Sequence, residues 1–141
     1  MDMLLPLTAQ DAVLAAVGGK GANLAKLVRE GFPVPSGFVL SVAAYQAFVT
    51  GNGLDRAIGA ALARLDATST AALEAASTQI RAAFAAGEMA PELRAALAEE
   101  YRRMGEPPVA VRSSATAEDL PEMSFAGQQD TFLNVQSLDA L

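Results

Sequence analysis

Three hydroxyl residues close behind an arginine can hold a phosphate. Val109, Ala110 and Val111 lead into Arg112, and Ser113, Ser114 and Thr116 follow. A second segment runs Gly127, Gln128, Gln129, Asp130, Thr131 and then becomes apolar to Val135. Guanidinium forks grip two phosphate oxygens at once, while hydroxyls and backbone N–H groups donate to the others. An element that only packs has no need of that many small, hydroxylated and amide residues beside one cation. Arg112 equally fits a salt bridge, because Glu118, Asp119, Glu122, Asp130 and Asp139 follow it and no further cation does.

A third segment, Gly18-Gly19-Lys20-Gly21, could let backbone approach a ligand while Lys20 reaches a phosphate from the start of the next helix. It is not a nucleotide P-loop, since no glycine precedes at the required spacing and Gly21 stands where Ser or Thr is needed. Taken alone, the tetrapeptide reads more simply as a turn with a solvated lysine. Glu118, Asp119 and Glu122 lack calcium-loop spacing and read as a solvated acidic loop. Gly127 to Thr131 alone also fits an ordinary polar turn.

Composition removes several chemistries. The 141 residues include no cysteine and no histidine. Disulfides, zinc–thiolate sites, Ser-His-Asp triads and phosphohistidine relays within this chain are excluded. A net charge of −6 argues against sequence-independent nucleic-acid binding. Arg102-Arg103, the one adjacent basic pair, reads as a solvated helix end. The N-terminal segment has Asp2 where a signal peptide carries positive charge, and no apolar run approaches membrane-spanning length. A cytoplasmic location, without membrane or nucleic-acid partners, is the expectation.

Several elements must position these residues. Asp11 is expected to start a short helix ending at Gly18-Gly19, and Leu24, Leu27 and Val28 predict a second helix ending at Gly31. Phe38 to Leu40 reads as a buried strand, with Ser41 as N-cap of a helix carrying Tyr45 and Phe48 that stops near Gly51-Asn52-Gly53. Residues 54–104 read as helical and free of chemistry: Ile58, Leu62 and Leu65, then Leu73, Ile80 and Phe84 up to Gly87. Pro91 opens a third helix with Leu93, Leu97, Tyr101 and Met104 on one face. Gly105 to Pro108 breaks that helix before the strand at 109–111, and Thr131 to Val135 forms another. Few, widely separated strands among helices predict an α+β fold with an antiparallel or mixed sheet, not a doubly wound one.

These segments together resemble the amino-terminal ATP-binding part of the phosphoenolpyruvate synthase and pyruvate phosphate dikinase family, which includes the rifampin phosphotransferases. The resemblance is densest from Val17 to Leu24, from Val34 to Ser41, and from Val111 to Val135. It implies the first lobe of an ATP-grasp fold over residues 1–141, with the helical segment 54–104 inserted. It implies that Lys20 and Arg112 contact the ATP phosphates. Gly127 and Thr131 match positions where rifampin phosphotransferases contact the nucleotide. The loop from Ser113 to Gln129 would close over the phosphates. The family passes phosphate to a histidine on a separate domain and then to pyruvate, or to rifampin in the antibiotic-modifying members. It holds Mg²⁺ and much of the adenine through a second lobe. This chain has no histidine and ends at Leu141, so it is expected to be a fragment or one part of a split enzyme, inactive alone. A phosphoenolpyruvate synthase-like ATP-binding lobe is the first expectation. The alternatives are the same lobe of a rifampin phosphotransferase and a non-catalytic nucleotide-binding module.

Overall fold

Two compact units make up the chain: Met1–Ala44 with Glu92–Leu141, and Tyr45–Pro91. The computed structural model describes residues 2–63, 65–116 and 130–141.

The first unit begins with β1 (Leu4–Pro6), then α1 (Leu14–Arg29) and β2 (Phe38–Leu40). β1 and β2 pair antiparallel, with Leu4 opposite Leu40 and Leu5 opposite Val39. Leu5, Ala12, Ala16, Val17 and Ala25 form the buried cluster, with Val39 packed against it. Alternation along the strand therefore turns Val39 inward and leaves its neighbours on the other face. That is why β2 is only half-buried, against the expectation of a buried strand, and why Leu40 is exposed. Gly21 keeps helix and strand close, since a Cβ there would meet Val17 at 3.1 Å and Val39 at 3.3 Å.

α1 consists of two helical segments that meet at a kink, the break falling at Gly18 as expected but without the turn expected at Lys20-Gly21. It starts at Leu14 rather than Asp11, breaks direction at Gly18 (φ 72°, ψ 175°) and resumes at once. It ends as its sequence predicts. Gly31, at φ 80°, donates to Val28 O, and Phe32 donates to Leu27 O, the paired bonds of a Schellman stop.

α2 (Val42–Gly51) starts behind Ser41, which is buried and whose Oγ accepts from Ala44 N–H at 3.3 Å. In the second unit, α3 (Leu54–Leu62) and α4 (Thr70–Ala85) pack on each other, with Leu54 and Ala76 buried. Phe84 lies 6.2 Å from Tyr45 and 6.1 Å from Phe48, ring centre to ring centre. Asn52 clamps this unit. Its amide nitrogen donates to Phe48 O (2.8 Å) and Glu88 O (3.1 Å), and its oxygen accepts from Glu88 N–H (2.8 Å).

α5 (Pro91–Arg103) buries Leu93, Leu97, Ala98 and Tyr101. Full burial of each leucine contributes about 1.5–3 kcal/mol. The Tyr101 hydroxyl donates to Pro107 O (3.1 Å) and accepts from Ser137 N–H (3.3 Å), which fixes the chain entering β3 and leaving β4. Arg102 and Arg103 are exposed and pair with Glu99 and Glu100 on the same helix, as a solvated helix end requires.

β3 (Val109–Arg112) and β4 (Thr131–Val135) pair antiparallel. Val109 faces Val135, Val111 faces Phe132, and Arg112 faces Thr131. Ala110 thus stands opposite two residues, Leu133 and Asn134, which makes a bulge. Asn134 takes φ 56°, a left-handed geometry that asparagine tolerates better than most residues. Separate helices and antiparallel two-stranded sheets make the fold α+β. Among the described residues, no helix is long and apolar enough to cross a membrane.

Candidate functional site

The break in α1 and the end of β3 meet in the first unit. Gly18 carries the break because its φ and ψ lie in a region essentially reserved for glycine. Space there is equally restrictive. A Cβ on Gly18 would lie 2.4 Å from Ser114 Oγ and 2.8 Å from Ala115 N. Three hydrogen bonds then join the segments. Gly19 N–H donates to Ala115 O (3.0 Å), Gly21 N–H donates to Ser114 Oγ (3.1 Å), and Ser114 Oγ donates to Val17 O (2.8 Å).

Lys20 sits between two stitched glycines and is half-exposed. Arg112 lies two residues before Ser114, exposed, directly across the ladder from exposed Thr131. Ser113 ties the same end shut, its N–H and Oγ both bonding Asp130 O, at 3.4 and 3.3 Å. The bulge lies on the far side of Phe132 from Thr131, so the Arg112–Thr131 pair is the last rung of the ladder.

Three of the four expected ligand-contacting residues, Lys20, Arg112 and Thr131, therefore belong to one joined neighbourhood. The fourth, Gly127, lies outside the described residues, as do Glu118, Asp119, Glu122 and most of the loop expected to close over the phosphates.

The glycines let residues 114–115 approach α1, and the N–H groups of Gly19 and Gly21 already have partners. One local expectation needs correction. Ser114 was expected among the phosphate donors, yet its single proton goes to Val17 O. Among the described residues, the groups at this junction whose chemistry suits an anion are the Lys20 and Arg112 side chains and the Thr131 hydroxyl.

The salt-bridge alternative for Arg112 finds no partner among the described residues. Asp139 pairs instead with Arg94, at 3.4 Å. No group of three or more acidic side chains able to hold a metal ion occurs among the described residues. The donor set among the described residues fits a polyanion. A shallow depression lined by Leu73, Glu74, Ser77, Thr78 and Arg81 of α4 contains none of these residues.

Residues 14–141 match the family described as pyruvate phosphate dikinase, AMP/ATP-binding domain. The chain is 44% identical over 128 residues to a probable phosphoenolpyruvate synthase of Methanothermobacter thermautotrophicus, covering 86% of this chain and 19% of that protein. It is 41% identical over 145 residues to the phosphoenolpyruvate synthase of Deinococcus radiodurans, covering 99% and 19%. With the phosphoenolpyruvate synthase of Escherichia coli it shares 40% identity over 133 residues, covering 89% and 17%. The chain spans less than a fifth of the length of these relatives.

Proposed function

Since this chain belongs to the pyruvate phosphate dikinase AMP/ATP-binding domain family, we propose that it forms the first lobe of an ATP-grasp site in a phosphoenolpyruvate synthase-like phosphotransferase. Lys20 and Arg112 hold the ATP phosphates, Thr131 adds a hydroxyl donor, and Gly127 approaches the nucleotide through its backbone. The enzyme transfers a phosphoryl group from ATP to a histidine on another of its domains, and pyruvate is the eventual acceptor. The relatives' names favour this acceptor.

Phosphoryl transfer asks a lobe of this kind for positioning and charge neutralisation, not covalent chemistry. A guanidinium and an ammonium on joined segments meet that need. Arg112 grips oxygens as a planar fork, and Lys20 supplies a compact charge that can follow the phosphate. Magnesium would neutralise further phosphate charge. On this reading its ligands, the second lobe and the histidine come from parts of the enzyme outside this chain.

One observation carries the reading. Arg112 and Thr131 form the last rung of β3–β4, and the residues just after Arg112 are hydrogen-bonded to both glycines flanking Lys20. Calorimetric titration of ATP into the full-length enzyme tests it. Losing a charge-assisted pair of bonds in Arg112→Ala should weaken ATP binding roughly 10–100-fold. Unchanged affinity in that variant would overturn the assignment.

A further inference from the structure

A helix start exposes N–H groups with no partner in the helix, and a side-chain oxygen at the N-cap normally takes one of them. The break at Gly18 creates such a start in the middle of α1. The residue at the cap position has no side chain. Ser114, 93 residues from Gly21 in sequence, supplies the missing oxygen by accepting Gly21 N–H at 3.1 Å. The same hydroxyl donates to Val17 O at 2.8 Å, so it also takes the last carbonyl before the break. One oxygen therefore closes both sides of the kink. The contact at Gly18 leaves room for this oxygen and no more.

Ser114 is also two residues from Arg112 on the same strand exit. The hydroxyl that caps the Lys20 helix is thereby anchored to the segment carrying the arginine. We propose that Ser114 is a positioning residue: it caps the broken helix from outside and so fixes Lys20 relative to Arg112 for polyphosphate binding. This rests on the reading of Lys20 and Arg112 as phosphate ligands. Ser114 does not touch the phosphate in this arrangement, because its proton already has an acceptor. Its effect is preorganisation, which matters because small displacements of paired ligands weaken binding steeply.

The test compares Ser114→Ala with Tyr101→Phe in the full-length enzyme. Tyr101→Phe removes a hydroxyl that also makes two hydrogen bonds in the same unit, away from the kink. Three readouts are taken: ATP affinity by calorimetry, melting temperature, and hydrogen exchange of a peptide spanning Val17 to Leu24. Ser114→Ala, which loses both hydrogen bonds at the kink, should weaken ATP binding roughly tenfold and speed exchange in that peptide. Tyr101→Phe should lower the melting temperature and weaken ATP binding much less than Ser114→Ala does, because its hydroxyl acts at the end of β3–β4 away from the Arg112–Thr131 rung. Should Ser114→Ala not fold, Ser114→Cys, whose larger sulfur is a weaker donor and acceptor, should show the same loss.

Unchanged ATP affinity in the serine variant, with Arg112→Ala still impaired, overturns the positioning role and leaves the phosphate reading intact. An equal loss in Tyr101→Phe overturns it too, by reducing Ser114 to general stability. An Arg112→Ala variant that binds ATP normally removes the phosphate reading and this inference with it.

Discussion

Arg112, Ser114 and Thr131 show how differently single residues announce themselves. Arg112 stands out in the sequence because a cation after an apolar run, with no other cation behind it, is chemically conspicuous. Its pairing with Thr131 follows from two strands that each read clearly. Ser114 was visible only as one more hydroxyl. Its partners, Val17 and Gly21, lie more than ninety residues away, and no local pattern encodes such a contact. Asp66 presents the opposite case, a wholly local interaction with a measurable consequence. Its carboxylate accepts the Thr68 hydroxyl at 2.6 Å and the Thr68 N–H at 3.0 Å. These bonds, the side-chain one foremost, favour the charged form and hold its pKa below the usual aspartate range. The sign follows from a depressed folded value. The stabilisation is present above the unfolded pKa and fades as pH falls through the folded one. An NMR titration of Asp66 should find it low, and Thr68→Ala should move it partway back up, since the backbone bond remains. An unmoved titration in the variant contradicts this account.

Among the elements, α1 separates what composition predicts from what packing decides. The stop at Gly31 and the stop at Gly105 (φ 84°) were both readable, because glycine past a helical stripe is a strong terminator. Gly105 N–H bonds Arg102 O and Glu106 N–H bonds Tyr101 O, the same pairing that closes α1. The glycines at 18 and 19 were read by the same rule as a stop, and the helix does break at Gly18, though Lys20 and Gly21 already belong to the next helical segment and not to a turn. The chain resumes its helix at once because Ser114 and Ala115 satisfy the new start. Glycines in helices thus carry opposite values. Gly59, exposed within α3, has nothing within 4 Å of a would-be Cβ. Gly59→Ala should raise stability by up to about 1 kcal/mol through helix propensity alone. Gly18→Ala should lower it by about 1–3 kcal/mol from backbone strain, and by more from the clash with Ser114. Denaturant melts of the two variants should move in opposite directions, and a shared direction would contradict the steric argument at Gly18.

At the scale of the molecule, the sequence suggested one helical block from 54 to 104, while the compact units divide at Ala44 and Pro91. α5 falls in the same unit as the strands, and its Tyr101 hydroxyl ties the chain before β3 to the chain after β4. Apolar spacing correctly gave that helix its face, but spacing alone does not say what a face will meet. The α+β class was readable for the same reason the strands were: short apolar runs between glycine and proline breaks leave few other options. β4 raises a separate issue. Phe132 is 60% exposed and Leu133 74%, and among the described residues the strand pairs with β3 alone. A flat apolar strand with an open edge is a template for a second chain. The bulge at Leu133 and Asn134 interrupts the regular spacing of N–H and C=O groups such pairing would need. A β-branched residue resists the left-handed geometry at position 134. Asn134→Val should therefore straighten the strand and raise light scattering on mild heating, and scattering no greater than that of the unsubstituted protein would contradict it. In this chain by itself, the irregular rung therefore works against pairing of β4 with a second strand.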